Sequence, residues 1–447
     1  MKLFTMTTID DLLLQGPRSA PELCQHLGIS QATFSRLVAA QPRVIQFGKA
    51  RATRYALQRP VRGISVFPFW RVNEQGRAIK GGEIYPAWPQ GSCLVLLAEG
   101  GWQWFDGLPW FLTDLRPQGF LGRAWGRRMA QQLSLPEDIR LWQESDVLYA
   151  LSQFSGEHAG GWLVGEENYQ RWLSTTSVQA IPAGQKPQIY ARLSREALAG
   201  EIVGSSAGGE QPKFSCFSRT ASGDAHVLVK FTAPQISAVS LRWGDLLRSE
   251  AIALSTLARA GIAASEAVAL QGENDQLFLE AKRFDCEGVT GRRAIVSLEA
   301  VQSEFVTASG SWPHTVDKLV SAGVVEPSAA GRVEKIWAFG RLIGNSDMHA
   351  GNLSFYYSGF PLSLAPVYDM LPMAFAPSSM GMMREEPCEI RFDSTVSRQA
   401  WAFALPLATQ FWEQVMADPR ISENFRQIAG GMKARLGDID VMVQRMA

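Results

Sequence analysis

An α+β chain is predicted, with one sheet-rich and one helical lobe behind a small N-terminal helix-turn-helix module. Three observations predict it. Apolar residues at helical spacing (Val333, Ile336, Trp337, Phe339, Ile343) lead into the polar loop Gly344-Asn345-Ser346-Asp347-Met348-His349-Ala350-Gly351-Asn352, then into a hairpin of strand-like residues 353–357, a turn at Ser358-Gly359 and a second strand ending at Tyr368, within Val367-Tyr368-Asp369-Met370. Upstream, a small-residue loop over 204–213 precedes two strands, the second carrying Lys230 in Val227-Leu228-Val229-Lys230-Phe231. The first sixty residues show capped helix starts and a local excess of basic side chains.

At 447 residues the chain is long enough for two or three domains, each with its own core. The 43 basic residues balance 43 acidic ones, so no net charge draws the whole chain to nucleic acid or membrane, and any electrostatic footprint must be local. Five cysteines (Cys24, Cys93, Cys216, Cys286, Cys388) form no Cys-x-x-Cys pair, which argues against a disulfide framework and a structural zinc site. No apolar run approaches the roughly 20 residues of a spanning helix, and the start lacks the basic-then-apolar pattern of an export signal. A cytoplasmic protein without a membrane partner is expected.

Residues 1–60 read as a separate unit. Ile9, Leu12 and Leu13 make a short helix ended by Gly16-Pro17; Ser19 caps a second with Pro21 just inside; Gly28 turns the chain; and Ser30 caps a third through Ala39. Residues 44–47 and 53–57 follow as strands around Gly48-Lys49-Ala50-Arg51. The arrangement resembles the winged helix-turn-helix family of DNA-binding domains. Between Arg18 and Arg62 eight arginines and lysines face the single acid Glu22, the kind of patch that phosphate contacts require. Gln31, Thr33 and Arg36 are the expected base-reading side chains, with Lys49, Arg51 and Arg54 on the wing. The same fold also serves as a protein–protein or dimerisation module, so DNA is an expectation from charge and not from fold.

Residues 63–165 change to alternating and aromatic stretches between Gly and Pro turns, a small sheet with later helices near 122–133 and 146–154. Trp102, Trp104, Trp110 and Trp125 suit a core better than a base-stacking site. Residues 165–188 look like a connector. A sheet-rich lobe over 190–290 and a helical lobe over 291–447 then complete the chain.

The chemistry lies in those two lobes. Asp347 and Asn352 stand in the spacing that lets one loop aim a carboxylate at a hydroxyl and an amide oxygen at Mg²⁺, and Asp369 would give a second metal contact. Mg²⁺ takes hard oxygen ligands, usually one or two carboxylates plus phosphates. The loop at 204–213 suits backbone amides closing over an anion, although it is not a Walker A sequence; Lys230 suits a strand-borne phosphate ligand. Glu250, on a helix expected over 246–260, suits an orienting partner for Lys230. A strand over 276–283 occupies the place of the segment that joins kinase lobes. These five roles follow in the order a kinase requires.

From Gly63 onward the chain resembles the HipA-like serine/threonine kinases, the toxin components of toxin–antitoxin systems. The resemblance rests on Ser206-Ala207-Gly208-Gly209-Glu210-Gln211-Pro212-Lys213, on Arg283-Phe284-Asp285, and on Asp347-x-His349-x-x-Asn352 with Tyr368-Asp369. It implies a two-lobed protein-kinase-like fold of the HipA type. It implies ATP contacts from Ala207, Gly208, Gly209, Glu210, Gln211, Pro212, Lys213 and Lys230, from Lys282, Arg283 and Phe284, and from His349, Ala350, Gly351, Asn352, Tyr368 and Asp369. Asp347 and Lys230 would be catalytic, Asn352 and Asp369 would hold Mg²⁺, and Ser206 matches a position of autophosphorylation. A protein substrate, growth inhibition and an antitoxin are implied too. Family toxins often work beside a separate DNA-binding antitoxin, whereas this chain has its own winged helix, which leaves two expectations: a non-cognate antitoxin or none. The alternative is a DNA-binding regulator whose kinase-like part senses a nucleotide or partner. A lipid or small-molecule kinase is a further reading, ranked lower without a basic amphipathic segment. The oligomeric state is not legible.

Overall fold

The computed structural model describes residues 8–116, 118–153, 159–175, 178–199, 211–307, 310–393 and 395–446. Its chain divides into two units: Met1–Asn73, Arg77–Pro117 and Trp125–Thr176 form the first, and Glu74–Gly76, Gln118–Ala124 and Ser177–Ala447 the second.

In the first unit α1 (Ile9–Leu13), α2 (Ala20–Leu27) and α3 (Gln31–Ala39) start where the caps direct. Thr8 with Asp11 and Ser19 with Glu22 form reciprocal capping boxes, and the Ser30 side chain accepts from Thr33 N–H. Gly28 takes φ +64°, the left-handed conformation that ends α2 at little cost. Ile9, Leu13, Leu23, Phe34, Tyr55 and Leu57 form one small core, with Phe34 edge-on to Tyr55 at 5.0 Å. Strands β1 (Val44–Phe47) and β2 (Arg54–Leu57) pair antiparallel as the wing.

That wing is tied to the sheet that follows it. Strands β3 (Phe67–Val72), β4 (Ala78–Ala87), β5 (Ser92–Leu97) and β6 (Trp102–Phe105) lie in one antiparallel sheet. Helices α4 (Gly119–Leu133) and α5 (Glu144–Gln153) precede β7 (Trp162–Val164), which completes the order β6-β5-β4-β3-β7. Phe47 and Ala56 of the wing are buried with Leu94 and packed by Trp104, while Phe47 meets Trp102 edge-on at 4.8 Å. Trp110 is buried, as a core residue should be, whereas Trp102 stays 37% exposed. The expected connector contains α6 (Glu166–Leu173), whose Tyr169 stacks on Trp70 at 4.4 Å.

The second unit opens with α7 (Lys186–Ala199), earlier than the sequence suggested. Strands β8 (Lys213–Thr220) and β9 (Gly223–Phe231), helix α8 (Ala238–Arg259), and strands β10 (Ala267–Gln271) and β11 (Leu277–Lys282) follow, giving an antiparallel sheet of order β10-β11-β9-β8. Strand alternation divides the labour. Val227, Val229 and Phe231 pack with fully buried Tyr190 of α7 on one face. That face also buries Glu280, which is paired with Lys186 at 2.6 Å and accepts from the Tyr190 hydroxyl at 2.5 Å. Leu277 and Leu279 pack against Leu247 of α8, and Leu279 is the cross-strand neighbour of Lys230.

Short strands β12 (Cys286–Glu287), β13 (Gly291–Arg292) and β14 (Ile295–Ser297) lead to the helical lobe of α9 (Leu298–Phe305), α10 (Trp312–Ser321) and α11 (Pro327–Leu342). After it come β15 (Ser354–Tyr356), β16 (Ser363–Leu364), α12 (Arg398–Ala417) and α13 (Glu423–Gln444). The second strand of this hairpin stops at Leu364, short of Tyr368; Val367 instead bridges Ala264 in parallel. Trp401, Phe411, Trp412 and Phe425 are fully buried at the lobe's centre. Among the described residues no helix is long and apolar enough to cross a membrane.

Candidate active site

Lys230 is 5% exposed, and a lone ammonium there would carry a large desolvation cost. Two carboxylates offset it. Its Nζ donates to both oxygens of Glu250, at 2.8 and 2.7 Å, and to Asp369 Oδ1. Burial alone would lower the lysine pKa, but the charges of Asp369 and Glu250 outweigh it and raise the value. For Asp369 burial works upward and is again outweighed, chiefly by Lys230 and then Lys213, which hold the carboxyl at about 2. Glu250, 1% exposed, is pushed up by burial and by Asp369 against the pull of Lys230.

Asp369 takes φ +51°, a backbone conformation uncommon for a residue with a side chain and costly unless its surroundings enforce it. Asn345 helps enforce it. Buried to 3% exposure, its Nδ2 donates to Asp369 O at 3.3 Å while its Oδ1 accepts from Asp347 N–H at 3.0 Å. One side chain thereby fixes the backbone at both acids. The sequence reading gave Asn345 no role, although an Asn two residues before Asp347 is the signature of an Asx turn.

The Asp347 loop is held from several sides. Asn352 Nδ2 donates to Asp347 O at 2.8 Å, which leaves the amide oxygen as that side chain's group for a cation. The Tyr368 hydroxyl donates to Gly351 O at 2.8 Å, and Trp312 Nε1 to His349 O at 3.0 Å. His349 Nδ1 accepts from Gly351 N–H at 3.1 Å, so the ring shapes the turn over 350–352, and a Cβ on Gly351 would come within 2.9 Å of it. Asp347 itself is exposed at the loop's tip. Partial desolvation of its carboxyl and the nearby Asp369 charge raise its pKa, while His349, Lys213 and Lys230 pull the other way.

Lys213 pairs directly across β8–β9 with Lys230. The strand pair therefore brings two ammonium groups to one face. Gln211 Nε2 donates to Phe231 O and Phe231 N–H to Pro212 O at 3.1 Å, anchoring the end of the small-residue loop beside Lys230. The expectations for Ser206, Ala207, Gly208, Gly209 and Glu210 fall outside the described residues.

The segment after β11 spends its polar groups within the protein. Lys282 N–H donates to Glu266 O at 2.8 Å, its carbonyl accepts from Ser265 Oγ at 2.7 Å, and its ammonium turns to Ser222 at 3.1 Å. Arg283 N–H donates to His226 O at 2.9 Å, and the guanidinium pairs with Asp285 at 2.7 Å. These contacts of Lys282 and Arg283 hold the strand end. Phe284 lies 5.6 Å from the Tyr368 ring and 6.3 Å from Tyr356.

Donor chemistry fits Mg²⁺ and a nucleotide. Among the described residues no group of three or more His, Cys, Asp and Glu could hold a metal alone. Asp369 and Asn352 would supply two hard oxygens, the number Mg²⁺ takes when phosphates complete its shell.

In the first unit Gln31, Thr33 and Arg36 all lie on the exposed face of α3, and Lys49 and Arg51 are exposed at the wing turn. The Thr33 hydroxyl is 3.0 Å from Ser30 Oγ, and Arg54 Nη1 donates to Arg51 O and Thr53 O at 3.4 and 3.1 Å. Thr33 and Arg54 therefore also serve the cap and the turn.

Comparison with known proteins agrees with this architecture. Residues 64–173 match the YjjJ-like toxin middle domain and residues 205–434 the HipA-like C-terminal domain. The chain is 62% identical over 441 residues to Toxin YjjJ of Escherichia coli (strain K12), covering 99% of this chain and 100% of that one. A solved chain from the Shewanella oneidensis MR-1 complex of HipA, HipB and operator DNA superimposes with a TM-score of 0.50 at 15% identity, over 83% of this chain and 98% of that one, a likeness of fold. With an α+β, kinase-like fold and a relative matched from end to end, the chain belongs to the HipA-like family of toxins.

Proposed function

We propose that the chain is an ATP-dependent serine/threonine protein kinase that inhibits growth by phosphorylating a cellular protein, with an N-terminal module that binds DNA. The observation that carries the enzymatic reading is the Lys230 ammonium held between Glu250 and Asp369, beside a loop whose backbone Asn345 ties to both Asp347 and Asp369. Bound MgATP would supply the γ-phosphoryl group and the cation that screens its charge. Lys230 and Lys213 bind the phosphates, Asn352 and Asp369 hold the metal, and Asp347 orients the acceptor hydroxyl and takes its proton. The raised pKa of Asp347 makes it a better proton acceptor than an ordinary surface carboxylate. Most of the rate then comes from positioning and fixed charge.

Incubation with γ-labelled ATP and cell extract tests this. The unaltered chain should label protein, and Asp347→Ala and Asp369→Ala should not. Equal labelling by either variant would remove its assigned role.

A second reading, a DNA-binding regulator that only senses nucleotide, is favoured by the exposed Gln31, Arg36, Lys49 and Arg51. Nucleotide binding without any transfer would select it. The distant structural neighbour is complexed with HipB and operator DNA. On that likeness we count an antitoxin, cognate or borrowed, among the partners, and a cytoplasmic site of action follows from them.

A further inference from the structure

Helix α8 carries Glu250, and Glu250 fixes Lys230, so whatever fixes α8 fixes the phosphate-binding ammonium. About two helical turns before Glu250, roughly 12 Å along the axis, α8 carries Arg242, which is 3% exposed. A guanidinium so buried must have its donors satisfied. Its Nη1 donates to Phe375 O at 3.2 Å and Arg384 O at 3.0 Å, its Nη2 donates to Asn424 Oδ1 at 2.7 Å, and Glu385 stands 3.6 Å away. The Phe425 ring lies 5.3 Å from its charge.

Phe375 and Arg384 belong to the segment that leaves Asp369. The same segment is bonded to the catalytic loop, because Ala374 N–H donates to Gly344 O at 3.0 Å. Adjacent residues of one strap therefore contact the Asp347 loop and α8. One turn on from Arg242, Asp245 accepts from Ser422 N–H at 2.8 Å, a second tie between α8 and the start of α13.

The geometry points to Arg242 as a positioning residue that couples the seating of residues 375–384 to the Lys230–Glu250 pair. Rotating α8 so that Glu250 leaves Lys230 would strip a buried guanidinium of three hydrogen bonds. Conversely, lifting the strap removes two carbonyls from Arg242 and frees α8 to turn. The acceptors are two main-chain carbonyls and an amide, with the Glu385 carboxylate beside them. This rests on the kinase reading for its consequence in transfer, but the coupling itself is a property of the chain.

The test is a double-mutant cycle of Arg242→Ala with Glu250→Gln in the full chain. Nucleotide affinity is read by titration with a fluorescent ATP analogue, alongside phosphoryl transfer and hydrogen exchange of the nucleotide-free protein. Arg242→Ala should weaken nucleotide binding and lower kcat/KM together by about 10- to 100-fold, the scale of a misplacement of about 1 Å. Added to Glu250→Gln it should cost less than about twofold more, because the two act through one contact. Exchange should quicken together in 375–384 and around Glu250. Arg242→Lys should recover part of the loss, since an ammonium can serve some of the same acceptors. Should Arg242→Ala fail to fold, Asn424→Ala, which removes a single acceptor, must give a smaller effect also absorbed by Glu250→Gln. Multiplicative losses, or exchange that quickens only beside residue 242, would overturn the proposal. Nucleotide binding without transfer would sink the kinase reading yet leave the cycle measurable in affinity; with no nucleotide binding at all the kinase reading falls, and hydrogen exchange alone decides the coupling, upheld if it quickens together in 375–384 and around Glu250 and overturned if it quickens only beside residue 242.

Discussion

Replacing Lys230 by methionine removes the ammonium that two carboxylates share. Methionine is of similar length, so the change deletes charge without opening a large void. Deleting one partner of a buried ion pair costs about 3–5 kcal/mol. The Asp369 side chain is still 28% exposed and regains some hydration, so the loss should lie near the lower end, about 3 kcal/mol at neutral pH. The loss also titrates. In the unaltered protein Asp369 is held at about 2 against 3.8 unfolded, so its contribution is complete above 3.8 and fades as the pH falls toward 2. Without Lys230, burial raises Glu250 further and lifts Asp369 as well. A carboxyl whose folded value is raised favours the folded state at low pH, and that benefit is lost as the pH rises through the folded value. The penalty of Lys230→Met should therefore be smallest near about pH 2, grow between about 2 and 3.8 as Asp369 ionises in the unaltered protein, and grow further toward neutrality as the raised carboxyls of the variant lose their benefit, by about 1.4 kcal/mol for each unit of displacement. Thermal unfolding followed by near-ultraviolet circular dichroism across that range measures it. A penalty of the same size at acid and neutral pH would refute the reasoning, because a packing defect does not titrate.

Further outcomes are expected elsewhere. Asp347→Asn should lower transfer by about 10²- to 10⁴-fold with nucleotide affinity kept within a few-fold; since a base must be deprotonated and the Asp347 pKa is raised, the acid limb of kcat/KM should lie above the ordinary aspartate value of 3.8. Gly340→Ala should gain up to about 1 kcal/mol in helix propensity. A Cβ there would fall 2.3 Å from Met348 Sδ, however, and overpacking of about 1–3 kcal/mol should win, lowering both the unfolding midpoint and transfer. A more stable, fully active variant would contradict that. In the wing, Lys49→Ala should reduce the slope of log K against log salt for DNA by about one, whereas Gln31→Ala should relax preference among sites by about 1–3 kcal/mol. Fluorescence anisotropy titrations at several salt concentrations separate the two.

Much of the local structure could be read in advance. Ser19 and Ser30 start helices because their hydroxyls can accept the free amides of a first turn, and those amides are neighbours in sequence. The strand holding Lys230 was equally legible, because a short valine-rich apolar run is a local pattern. The helix of Glu250 was legible in part. It begins at Ala238, ahead of the expected start at 246, because Ser237 and Ser240 form a capping box upstream of the clear apolar spacing.

The sequence by itself determined which residues could do chemistry and in what order they occur: a strand lysine, a helix glutamate, a loop aspartate with its asparagine, and a later aspartate. Tertiary structure alone decided which of them meet. Asn345 acquires its role only where residues 345 and 369 come together, and the Lys282 amide finds its acceptor only where Glu266, just before β10, comes beside it. The wing, too, buries Phe47 against tryptophans some fifty residues away. Propensity and capping act over a few residues, whereas ion pairs, buried polar contacts and ring packing act between segments that only the folded chain brings within reach.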